Sequence, residues 1–177
     1  MNIRLFRAAS ANDPHYAEAM ALYAQSFPYH EQREPDSQAQ IMHHPAYHFD
    51  MIVDGEHLAG VILNWQTDAF IYVEHLCIMP GLRGQGYGRA SLDALAGLGK
   101  TVILEIDPPV DDISIRRSHF YEKAGYVKNP YPHVHPPYHE GHHGHDLVIM
   151  SYPDAISAQQ YEAFYDYLCR VVMHNAW

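Results

Sequence analysis

Arg83-Gly84-Gln85-Gly86-Tyr87-Gly88 is the stretch on which the reading of this chain turns. It stands between an apolar, strand-like run, Phe70 to Met79, closed by Pro80-Gly81, and a helix-like run, Ala90 to Leu98. A strand leading through glycines into a helix builds an anion seat. Glycine lets the backbone approach a ligand closely, and the first amides of a helix have no internal acceptor. The stretch therefore predicts a cofactor that carries a pyrophosphate. Two familiar glycine patterns do not fit. A dinucleotide fingerprint spaces its glycines Gly-x-Gly-x-x-Gly, whereas glycines 84, 86 and 88 are evenly spaced. A P-loop would need glycine where Ala94 stands, ahead of Gly99-Lys100-Thr101, and that triplet leads into a strand rather than a helix.

The pattern that fits is Arg/Gln-x-x-Gly-x-Gly/Ala, carried by Arg83, Gly86 and Gly88. Downstream, Phe120-Tyr121-Glu122-Lys123-Ala124-Gly125-Tyr126 ends a helix-like stretch that begins at Ser114, with Gly125 as its stop. The strand-like run Val102 to Ile106 lies between the two motifs. Over residues 70 to 127 this order resembles the GNAT superfamily of N-acetyltransferases, in which an acyl-CoA pyrophosphate loop is followed by a Tyr-Glu-x-x-Gly-Phe/Tyr segment. The resemblance implies an α/β (α+β) fold. A mixed central β-sheet would be flanked by helices, here with an added C-terminal helix, in one domain spanning residues 1–177.

The resemblance also assigns roles. Acetyl-CoA is the expected cosubstrate. The loop residues Arg83, Gly84, Gln85, Gly86, Tyr87, Gly88 and Arg89 would hold its pyrophosphate. The backbone of Leu76, Cys77 and Ile78 would pair with the pantetheine arm, and one amide there, that of Ile78, would polarise the acetyl carbonyl. A donor of this kind is worth roughly 3 kcal/mol. Tyr121 is the expected general acid for the leaving thiolate, since a phenol with a pKa of about 10 stays protonated at neutral pH. Ser114 stands where relatives carry a CoA-contacting asparagine, and a helix cap explains it equally well. Glu74 and Glu105 are the candidate bases, Glu74 ranked first, with ordered water as the alternative. Glu74 and His75 are neighbours in a strand and should face opposite sides.

The segment from Asn129 to Gly144 is dense in proline and histidine. Prolines at this density argue against helix and most ladder pairing, so an ordered loop or lid is expected. His133, His135 and Tyr138 are candidate acceptor-binding residues. His142-His143-x-His145 matches no closed zinc spacing, and no metal is expected. Around these motifs, Asn12-Asp13-Pro14 reads as a helix start, Ser37 to His43 as a short helix, and Asp54-Gly55-Glu56 as a hairpin turn. Ser157 to Met173 reads as a final helix. Its apolar stripe, Tyr161, Phe164, Tyr165, Leu168, Cys169 and Val172, would pack on the sheet or on a second subunit of a homodimer.

The formal net charge of −10 argues against nucleic-acid binding and agrees with a cationic acceptor, a small-molecule or peptide amine. No run approaches the ~18 apolar residues of a membrane span. No signal-peptide pattern opens the chain and its two cysteines form no disulfide framework, so a cytoplasmic location is expected. The expected activity is acetyl transfer to a primary amine by direct attack in a ternary complex. The alternative is a GNAT-fold acyl-CoA sensor or interaction module that does not turn over.

Overall fold

Strand patterning and two helix-capping devices account for most of the architecture in the computed structural model, which describes residues 2–176. The elements run β1 (Ile3–Arg7), α1 (Tyr16–Ser26), α2 (Pro35–Ile41), β2 (Tyr47–Asp54), β3 (His57–Gln66), β4 (Phe70–Ile78), α3 (Tyr87–Ala96), β5 (Thr101–Ile106), α4 (Asp112–Lys123), β6 (Val127–Lys128), β7 (Val134–His135), β8 (His145–Asp146), β9 (Val148–Tyr152) and α5 (Ala158–Tyr167). Seven strands form one mixed sheet in the order β1-β2-β3-β4-β5-β9-β6, antiparallel except for the parallel β4/β5 pair. Because side chains alternate along a strand, the sheet buries two separate cores. One holds Phe49, Met51, Trp65 and Tyr72 under α1 and α5. The other holds Ile62, Ile71, Leu104 and Met150 under α3 and α4. Among the described residues no helix is long and apolar enough to cross a membrane.

Helix α4 shows how local sequence sets an element. Asp111 caps it, accepting from the amides of Ile113 and Ser114, and the Ser114 hydroxyl accepts from the Asp111 amide in return. This is a reciprocal capping box. The helix ends at Gly125, with φ +86°, where the Tyr126 amide donates to Tyr121 and the Gly125 amide to Glu122. That is the Schellman closure glycine allows. Ser157 and Gln160 form the same box at the start of α5.

Four local expectations are corrected. α1 starts at Tyr16 rather than Pro14, because the Asp13 carboxylate is spent on the amides of Ala9 and Ser10. α2 begins at Pro35, which suits a first helical turn. The final helix passes into a π-helical turn over Leu168–Val172. The proline-rich segment does contain a ladder: β7 pairs antiparallel with β8, since Val134 and His135 keep the amides that their proline neighbours lack.

Two irregularities shape the centre of the sheet. β4 and β5 pair only from Phe70↔Thr101 to Val73↔Leu104, and beyond this point they splay apart. β4 still pairs with β3 as far as Ile78↔Gly60. A β-carbon on Gly60 would lie 2.4 Å from the Cys77 carbonyl oxygen. Gly60→Ala should therefore displace the free end of β4 and cost about 1–3 kcal/mol, as overpacking does; thermal unfolding checks this, and an unchanged midpoint would refute it.

Candidate active site

A cleft of about 650 Å³ opens where β4 and β5 part. Its floor is the unpaired end of β4, with Leu76, Cys77 and Ile78 on its lining. Beyond Val73 these residues have no β5 partner, while β3 holds them from the other side. Alternate backbone groups therefore face the gap. The Cys77 side chain belongs to the core beneath α1, and burial pushes its thiol up to about 11, so it is no nucleophile at neutral pH.

The glycine segment forms one end of the cleft. Gly84 and Gly86 have φ of +75° and +92°, which L side chains rarely adopt. Gly86 caps α3, and the first intrahelical bond runs from the Ala90 amide to the Gly86 carbonyl. The amides of Tyr87, Gly88 and Arg89 are thus left without helical acceptors, at the positive end of the helix dipole. This donor set fits a pyrophosphate.

The flanking side chains are mostly occupied elsewhere. Arg83 folds back to donate from Nε to the Ile78 carbonyl at 3.2 Å. Gln85 donates to the Gly81 carbonyl and lies off the cleft lining. The Tyr87 hydroxyl donates to Asp54 Oδ2 at 2.9 Å, pinning α3 to β2. Arg89 is tied to Asp93 at 2.8 Å and to the Lys123 carbonyl at 2.8 Å, so its charge is already paired. Ser114 is buried in its capping box and does not line the cleft. The capping box accounts for Ser114, which is one of the two roles expected for it.

Tyr121 reaches the cleft from α4, packed edge-on against Phe120 and Tyr126. Burial pushes its phenol up to about 12. It is protonated at neutral pH, as a proton donor must be.

The opposite wall is built by contacts no local pattern announces. Glu74 sits on a β-bulge: Leu63 pairs with His75 and Asn64 with Val73, leaving Glu74 as the extra residue. The bulge breaks the alternation, so Glu74 and His75 both line the cleft, contrary to the expectation that they face opposite sides. The Glu74 carboxylate accepts from Arg33 Nη2 at 2.9 Å, the Tyr138 hydroxyl at 2.9 Å and Trp65 Nε1 at 2.7 Å. Its side chain is 2% exposed and that of Arg33 1%. Burial alone would raise the Glu74 pKa, but the Arg33 guanidinium outweighs it and holds the carboxyl at about 2. Such a group is a poor base, and Glu74 reads as the structural partner of Arg33. Arg33 also donates to the Val172 carbonyl and to Ser37, tying the helical layer to the sheet.

Glu105 is equally committed. It accepts from the Tyr72 hydroxyl, contacts His133 Nε2, and lies 3.9 Å from His135 Nε2. Burial opposes its ionisation, but His135 and His133 beside it keep its pKa below the ordinary value. His133 bridges Glu105 and the Tyr161 hydroxyl and lies off the cleft lining. His135 and Tyr138 do line the cleft, with rings stacked 5.0 Å apart. The proline-rich loop is thus an anchored wall with three buried histidines, 133, 135 and 139. His139 stacks on Tyr29 and hydrogen-bonds Glu34 at 2.7 Å.

Sequence reasoning misses Arg33, Glu31 and His30, which lie in or beside what reads as a polar connection. At the cleft mouth His30, Glu31 and His145 bring ligand atoms within 4.8 Å of one another, the one group among the described residues with atoms placed to hold a metal ion. His145 is also 3.4 Å from Asp107, which Arg117 pairs.

A family model described as the acetyltransferase (GNAT) family matches residues 16–126. The chain belongs to the GNAT acetyltransferase family. It is an acyltransferase with a GNAT fold. Among solved structures, this GNAT chain is similar to a putative GNAT acetyltransferase from Bacteroides thetaiotaomicron, at 27% identity over 98% of both chains with a TM-score of 0.87. It shares its fold with the ribosomal-protein-S18-alanine N-acetyltransferase from Escherichia coli, at 19% identity, 89% of this chain, 97% of that one and a TM-score of 0.55. A Bacillus subtilis acetyltransferase solved with CoA is similar at 16% identity, 84% of this chain, 95% of that one and a TM-score of 0.55. No curated protein matches the chain.

Proposed function

We propose that this GNAT protein transfers the acetyl group of acetyl-CoA to a primary amine by direct attack in a ternary complex. The observation that carries the reading is continuity. One cleft joins the free amides at the start of α3, the open edge of β4 and the Tyr121 phenol. Those are the three things acetyl-CoA needs: a pyrophosphate seat, a strand for pantetheine, and an acid beside the sulfur. Gly84 to Gly88 hold the pyrophosphate through backbone groups, the Ile78 amide polarises the carbonyl, and Tyr121 protonates the thiolate. The amine enters past Glu31, whose carboxylate suits a cation. Neighbours of the same fold are named for acceptors as different as a ribosomal-protein alanine and an aminoglycoside, so fold does not supply the acceptor.

The test is thiol release from acetyl-CoA against a panel of amines, polyamines, aminoglycosides and short peptides. Amine-dependent release supports the transferase. Binding of acetyl-CoA with no release for any amine supports the sensor reading instead. With an acceptor in hand, Tyr121→Phe should lower kcat about 100-fold while leaving acetyl-CoA affinity nearly unchanged. Unchanged turnover would remove Tyr121 as the acid.

A further inference from the structure

We infer that His135 is the general base for the acceptor amine, with Glu105 behind it as counter-charge and His75 as a second, uncharged acceptor for the amine's hydrogens. This rests on the transferase reading above.

Hydrogen bonding fixes the tautomers. His135 Nδ1 lies 2.6 Å from the Pro136 carbonyl, which can only accept, so Nδ1 carries the proton. The neutral ring then has a bare lone pair on Nε2. That nitrogen is buried and has no hydrogen-bond partner among the described residues. His75 repeats the pattern in mirror sense. Its Nε2 donates to the Glu31 carbonyl at 3.0 Å, leaving Nδ1 bare, buried and unpartnered. Both rings line the cleft and both pack on Tyr138, at 5.0 and 5.8 Å. Unpaired buried acceptors are costly. Two of them on one cleft wall call for a hydrogen donor, and an amine entering from the mouth supplies one.

Charge then separates the two histidines. His75 is wedged against Tyr23 and Phe27, and the charge of its neighbour Glu74 is already taken by Arg33. Burial holds its pKa at about 4, so it stays neutral and orients the amine. His135 has Glu105 3.9 Å from Nε2, too far to bond the neutral ring and near enough to pair with an imidazolium. Glu105 is itself braced by Tyr72 and His133. The other charged or titratable groups around the two rings include His145, which pairs with His135 across the β7/β8 ladder and lies 3.4 Å from Asp107, Glu31 beside His75, and Glu74, Arg33 and Tyr138, of which Glu74 and Arg33 neutralise each other.

The proton inventory closes. An ammonium acceptor gives one proton to His135 Nε2, directly or across one water, and its freed lone pair attacks the acetyl carbon. The carbon–nitrogen bond forms, the carbon–sulfur bond breaks, and Tyr121 protonates the sulfur. The second proton lost by nitrogen restores the Tyr121 phenol, and the His135 proton leaves to solvent.

The deciding experiment is kcat/KM against pH, with the acceptor found by the panel, for the wild type, His135→Gln, Glu105→Gln and His75→Asn. The wild type should show an acid limb. His135→Gln should lose that limb and about 100-fold in kcat, with acetyl-CoA affinity unchanged. Glu105→Gln should move the limb to lower pH, because removing the carboxylate disfavours the imidazolium. His75→Asn should raise the acceptor KM and keep the limb. Nitrogen NMR of the wild-type imidazoles gives a second readout that needs no variant to fold: His135 should be the Nδ1–H tautomer. A wild type that acetylates nothing overturns the transferase reading, and this one with it. Normal wild-type turnover, with His135→Gln keeping limb and kcat, or an Nε2–H tautomer, overturns the base alone.

Discussion

Gly86→Glu is expected to weaken acetyl-CoA binding by more than about 100-fold, or about 2.7 kcal/mol, measured by calorimetry on the folded protein. Gly86 caps α3 with φ +92°, so any L side chain there is strained. A glutamate also places a negative charge beside the free amides of Tyr87 and Gly88, where the helix dipole favours an anion from the ligand. The new carboxylate would satisfy those amides and repel the pyrophosphate. Gly86→Ala separates the two causes, since it carries the strain without the charge; it should lose part of the affinity. Normal affinity in Gly86→Glu would show that the pyrophosphate lies elsewhere.

Glu74→Gln is expected to destabilise the protein by about 3–5 kcal/mol, because it leaves the Arg33 guanidinium buried and uncompensated. In a domain of this size that lowers the unfolding midpoint by about 10 °C. Both Glu74 oxygens accept from donors, so the amide nitrogen of glutamine must face a donor whichever way it turns. The pH dependence follows from the depressed pKa. Folded Glu74 titrates at about 2, against about 4.3 when unfolded. Its contribution is complete above the unfolded value and is lost as pH falls through the folded one. Wild-type stability should therefore decline between about pH 5 and 2, more steeply than in Glu74→Gln. If Glu74→Gln instead unfolds at the wild-type temperature and abolishes the acid limb of kcat/KM, the carboxylate is the base after all, and its pairing with Arg33 is incidental.

These two residues mark where sequence reading succeeds and where it stops. The glycine segment is legible because its geometry is local. Positive φ, the absence of Cβ and a helix starting within the segment are properties of consecutive residues, and so are Gly125 as a helix stop and Ser157 as a cap. Glu74 stands out in the sequence as chemically interesting and ranks first there as the base, but only the fold shows its carboxylate already paired with Arg33. Its partners come from Trp65 on the neighbouring strand, Arg33 before α2 and Tyr138 between β7 and β8. Strand alternation fails there because a bulge depends on how β3 and β4 pair, which neither strand encodes alone. Spacing groups His133 with His135, yet one lies behind Glu105 and the other on the cleft wall.

The family, the order of elements around residues 70 to 127 and the glycine turn that opens α3 can all be read from the residues in line, because each depends on backbone preferences of short segments. Which carboxylates are already paired, which histidines are buried and which imidazole nitrogens are bare emerge only once the chain has folded. Those properties belong to contacts between distant segments. A charge or a lone pair is available for chemistry only when no neighbour in space has already claimed it.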